Sequence, residues 1–134
     1  MDLGTHLAIG GTGLVILGLA HTGFSRYFGW REDFAKLTLF NRNMAAVHAA
    51  FIAFTCVLMG LLMISSAEEL RTTPLGHRVA WGLVAFWGFR LVTQLFWYPA
   101  ALWRGRRFET TVHVVFTAYW IYLVVILTLT ALGR

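Results

Sequence analysis

The chain has 134 residues, of which 58% are hydrophobic and only 13% charged, with a net charge of +5 and a mean hydropathy of +0.67. Soluble domains carry roughly 25% charged residues, so this composition excludes an ordinary soluble globule. The positive charge does not mark a nucleic-acid binder, because the arginines gather at the ends of apolar runs, where they set topology and meet anionic headgroups.

Four apolar runs, about 3–23, 43–65, 79–98 and 110–132, dominate the sequence. Each is close to the ~20 residues that cross ~30 Å of hydrocarbon as a helix. They predict one domain over 1–134 with an all-α fold: an integral membrane four-helix bundle running up-down-up-down.

The first run follows Met1-Asp2-Leu3. It has neither a basic n-region nor a small-residue cleavage site after it, and so reads as a retained span. Gly4, Gly11 and Gly18 recur every seven residues and form one narrow strip, a surface on which helices approach closely in lipid. The segment 24–42 mixes Arg26, Arg31, Lys36 and Arg42 with Tyr27, Phe28, Trp30, Phe34, Leu37 and Phe40. That mixture suits a short helix in the headgroup region.

In the second run Ala45, Ala49, Ala53, Cys56 and Gly60 form another small-residue strip. Such strips could seat other membrane subunits or a second copy of the chain. Cys56 is the single cysteine, which excludes an internal disulfide. The polar stretch 65–78 reads as a loop, with Pro74 as its turn-former and His77 solvated. Arg90 lies about eight residues inside the end of the third run, with Gln94 one turn further on nearly the same face and Trp87 and Trp97 flanking. An arginine at that depth costs at least ~2.5 kcal/mol and needs a partner or a purpose. In the fourth run Thr110, His113, Thr117 and Trp120 share a face.

The segments Arg42–Phe51 and Arg107–Phe116 echo one another. Each has an arginine six residues before a Val-His histidine and a phenylalanine three after it. His48 and His113 are thereby expected about a turn and a half inside two helices. If the echo is a true repeat, they face one another across the core. Topology is read separately, from the basic residues. The arginine-rich segments 24–42 and 99–108 are expected in the cytoplasm, against only Arg71, Arg78 and Arg134 on the other side, with both termini outside an inner or plasma membrane.

On this topology His21, His48, Arg90, Gln94 and His113 converge in the cytoplasmic half of the bilayer, whereas the outer half offers His6 and small hydroxyls. Zinc-type spacing, a Ser-His-Asp set and paired intramembrane carboxylates are all missing, which argues against a di-iron centre and a hydrolase. Facing imidazoles near an arginine fit haem b, with His48 and His113 as iron ligands and Arg90 on the propionates. The same groups fit a quinone pocket, where they would hydrogen-bond the ligand's oxygens. Two non-redox readings are an accessory or scaffold subunit of a larger membrane complex and, with less in its favour, a small transporter.

Overall fold

The structure, a computed structural model, describes residues 1–134 except for the side chain of Ala100. The chain is all-α. Its elements are α1 (Leu3–Tyr27), α2 (Trp30–Ala35), α3 (Leu39–Ser65), α4 (Ala67–Thr72), α5 (Pro74–Phe96), a 3-10 turn (Ala100–Leu102) and α6 (Arg107–Ala131). No strand occurs among the described residues. The helices α1, α3, α5 and α6 are each long and apolar enough to cross a membrane, as a small polytopic membrane protein requires.

The helices α3, α5 and α6 start three to five residues before the apolar segments that announce them, because capping as well as hydropathy sets where helices begin. Thr38 starts α3 by accepting the N–H of Asn41 at 3.3 Å, so Asn41, Arg42 and Asn43 are already helical. Similarly, the Thr73 hydroxyl accepts from Gly76 N–H at 2.9 Å and donates to the Glu69 carbonyl at 2.8 Å. Pro74 therefore opens α5 at its first position, where a missing N–H costs nothing, and does not serve as a loop turn. His77 is likewise no solvated loop residue. It sits in the first turn of α5, and its Nε2 donates to the Arg71 carbonyl at 2.8 Å.

The chain divides into two compact units, Ala8–Ser66 and Met1–Leu7 with Ala67–Arg134. In the first, α1 and α3 are pressed together through glycine. A Cβ on Gly11 would stand 2.6 Å from the Gly60 carbonyl oxygen, and one on Gly18 would stand 2.7 Å from that of Ala53. The two contacts are seven residues apart on both helices, the antiparallel spacing of knobs-into-holes packing. The small-residue strips therefore meet each other inside this unit. Gly29, with φ 63°, caps α2 in the left-handed region, and Trp30 stacks on Phe34 within that short helix.

In the second unit α4 lies against the start of α5, where a Cβ on Gly76 would collide with the Glu69 carbonyl. Leu70, Ala80, Leu83, Leu123, Ile126 and Leu127 are buried there. The pairing of α5 with α6 is antiparallel and again heptad-spaced: Trp87 meets Trp120, and seven residues along each helix Gln94 meets His113. Asp2 caps α1, accepting from the Thr5 N–H at 2.9 Å and the Thr5 hydroxyl at 2.6 Å. Those two bonds, helped by Arg71 at 3.9 Å, hold the Asp2 carboxyl below the usual carboxylate range.

Candidate functional site

The polar residues expected to converge on α5 and α6 do so, through a continuous hydrogen-bonded chain. Arg90 Nη1 donates to Gln94 Oε1 at 2.9 Å, and Gln94 Nε2 lies 2.9 Å from His113 Nδ1. Arg90 stands six residues before the end of α5, and His113 six after the start of α6. Both are thus about 9 Å from their helix ends. Gln94 is buried, at 7% exposure, and Arg90 and His113 are half-buried.

The inventory of donors and acceptors assigns every proton in this chain. A guanidinium has no acceptor, so the Gln94 oxygen must be the atom that faces it. The Gln94 amide nitrogen is then the atom toward His113, and it can only donate. His113 Nδ1 accordingly accepts, and the neutral ring carries its hydrogen on Nε2. No hydrogen bond reaches that Nε2–H among the described residues.

Aromatic rings close around the chain. Trp103 stacks on the His113 ring at 4.6 Å and 9°. It is held there by Thr110, whose hydroxyl donates to the Trp103 carbonyl at 2.6 Å. The Arg90 guanidinium lies 5.1 Å from the Trp120 ring centre and 5.8 Å from that of Tyr98, and no carboxylate pairs with it among the described residues. Cation–π contacts of this kind are worth about 2 kcal/mol when water is excluded. They answer the cost that the position of Arg90 raises. Trp87 stacks on the far side of the group at 5.0 Å from Trp120. Both indoles are 2% exposed, and their N–H groups are buried without a partner. Of the two tryptophans that flank Arg90 and Gln94 in sequence, Trp87 is buried and Trp97 is 81% exposed.

His48 and His21 belong to the other unit. His48 lies on the exposed surface of α3. Because α3 begins at Leu39, it is two and a half turns inside its helix and not the turn and a half that the echo suggests. His21 Nδ1 donates to the Leu17 carbonyl at 2.7 Å, which leaves its lone pair on Nε2, the opposite tautomer to His113. The contacts of Gly18 with Ala53 and Gly11 with Gly60 set position 21 level with position 50. Along their helices His21 and His48 are therefore within a turn of the same level. No group of three or more potential metal ligands occurs among the described residues.

Two features escape a reading of the sequence. Trp103 is one; it falls in an aperiodic loop that gives no face on which to place it. The other is a pairing further along α6 from His113. His6 Nδ1 lies 3.0 Å from the Tyr122 hydroxyl, which also donates to the His6 carbonyl at 3.2 Å. That end of the chain therefore holds more than His6 and small hydroxyls. Comparison with protein families, characterised proteins and solved structures finds no match to this chain.

Proposed function

We propose that the Arg90–Gln94–His113 site binds the headgroup of a quinone drawn from the bilayer and serves a redox role there. The observation that carries this reading is the unpaired Nε2–H of His113 at the end of a hydrogen-bonded chain anchored on Arg90. A quinone offers a carbonyl oxygen for that donor and a flat ring for the aromatic groups beside it. Its isoprenoid tail is as apolar as the lipid around α5 and α6. Trp103 on the ring of His113 and Tyr98 near Arg90 supply the aromatic wall.

The same proton assignment favours a quinone over haem b. An imidazole binds iron through a lone pair while its other nitrogen donates to a carbonyl or carboxylate. In His113 the Nδ1 lone pair is engaged by Gln94, and the remaining nitrogen bears hydrogen. Placed by the charge rule, with the arginine-rich segments in the cytoplasm, the site belongs to the cytoplasmic half of the membrane.

Purification in mild detergent, followed by an absorption spectrum and solvent extraction, tests the reading. The expected result is a protein without a Soret band that carries extractable quinone, and an Arg90→Leu variant that carries none. A red protein with a Soret band would overturn it in favour of haem.

A further inference from the structure

We propose that Gln94 is a positioning residue that fixes the tautomer of His113, and so makes the site a reader of oxidation state that takes quinone carbonyls and refuses quinol hydroxyls. The inference rests on the quinone reading for its ligand, but its core claim concerns a single proton and stands on hydrogen-bond arithmetic alone.

Each group in the chain is committed. Arg90 only donates, the Gln94 oxygen is occupied by Arg90, and the Gln94 amide is occupied by His113 Nδ1. What the chain leaves unpaired is therefore donors: Nε2–H of His113 and the remaining N–H groups of Arg90. Tyr98 and Trp120 contribute ring faces to Arg90, and the Trp120 indole N–H is itself a buried donor without a partner. A carbonyl or an oxyanion completes such a surface. A hydroxyl meets N–H with O–H and can pair only by turning its own hydrogen away, toward lipid that cannot accept it.

Gln94 is the one residue through which this polarity can be reversed without disturbing either neighbour's position. In Gln94→Glu a carboxylate of the same length accepts from Arg90 on one oxygen. Its other oxygen draws the hydrogen of His113 onto Nδ1. The Nε2 lone pair is then left unpaired, and the site acquires an acceptor. In Gln94→Met the shape is kept and neither nitrogen is engaged, so both tautomers should be populated.

The first measurement needs no ligand. Nitrogen-15 spectra of histidine-labelled protein in lipid nanodiscs, with His113 assigned by His113→Gln, should show the Nε2–H form in the wild type. They should show the Nδ1–H form in Gln94→Glu and a mixture in Gln94→Met. A wild-type protein in the Nδ1–H form, or an unchanged tautomer in both variants, overturns the proposal.

The second measurement titrates a short-chain benzoquinone and its quinol, reading the quenching of tryptophan fluorescence. Leaving one buried donor or acceptor unpaired should separate the two forms by roughly tenfold. The wild type should favour the quinone and Gln94→Glu the quinol. The same preference in both proteins overturns the proposal. If neither form binds while the spectra show the expected tautomers, the quinone reading fails and the role of Gln94 in setting the tautomer is upheld.

Discussion

Trp87 and Trp120 lie face to face, ring centres 5.0 Å apart and 8° from parallel, one heptad from the Gln94–His113 contact on both helices. The pair thus performs two tasks. It fills the interior between α5 and α6, and its Trp120 ring receives the charge of Arg90. Packing and site are built on the same register.

Truncating either indole should therefore be costly. Trp87→Ala and Trp120→Ala should each lose about 3–5 kcal/mol, as large aromatic truncations do. The double variant should lose less than the sum by about 0.5–1.5 kcal/mol, the usual coupling of an aromatic pair. Thermal unfolding in detergent reads both quantities. Strict additivity would mean that the stack contributes only area.

The glycine contacts give a paired comparison. Gly11→Ala and Gly18→Ala force a methyl onto a backbone oxygen of α3 and should destabilise by about 1–3 kcal/mol through overpacking. Gly82 and Gly88, in the middle of α5, have nothing within 4 Å of an added Cβ. Gly82→Ala and Gly88→Ala should be neutral or gain up to ~1 kcal/mol of helix propensity. Melting temperatures of the four variants decide it, and equal effects at all four positions would deny the close approach.

Arg90 should separate ligand binding from assembly. Arg90→Leu removes a costly intramembrane charge, so insertion should be intact or improved while quinone retention is lost. Arg90→Lys should not restore retention, because a point charge replaces neither the planar fork toward Gln94 nor the flat contact with Trp120. Protease protection in membranes reports insertion, and the extracted quinone reports binding. If Arg90→Leu instead abolishes assembly, the arginine is structural.

The histidines offer a sharper test of the paired reading. His113→Ala should abolish quinone retention, and His48→Ala, on an exposed face of α3, should leave it unchanged. Equal losses from both would place His48 at the site together with His113, as the sequence echo suggests.

Acid should fray one defined turn. The Asp2 carboxyl is held below its ordinary range by Thr5 and Arg71. Its cap on α1 is therefore fully present above the unfolded carboxylate value and is lost as pH falls through the lower folded value. Exchange of the Thr5 amide hydrogen should accelerate across that acidic window. In Asp2→Asn the acceleration should disappear.

What the sequence made legible follows from the length scales involved. A membrane imposes a period of about twenty apolar residues, so four spans and the all-α class could be read directly. Arg90 and Gln94 could be paired because they are one turn apart on one helix, and His113 could be joined to them by depth. Short elements were less accessible. The helix α4 and the start of α5 depend on Thr73 and Pro74, where a few local hydrogen bonds outweigh any pattern. Trp103 as a site member and the Tyr122–His6 pairing are both invisible in the sequence, since a stacking contact and a bond across 116 residues leave no trace in periodicity. The echo around His48 and His113 is legible but uneven, because the Thr38 cap starts α3 at Leu39, three residues before Arg42.

His113 and Tyr122 are nine residues apart on α6, which places them about 14 Å from each other along the axis and half a revolution apart around it. One is gripped by Gln94 of α5, the other by His6 in the opening turn of α1. A rod clamped at two heights from opposite sides cannot roll, and a slide of even one residue would break both holds. Torque on α6 is therefore resisted between these two levels, and the segment that carries Tyr98 and Trp103 lies beyond both holds.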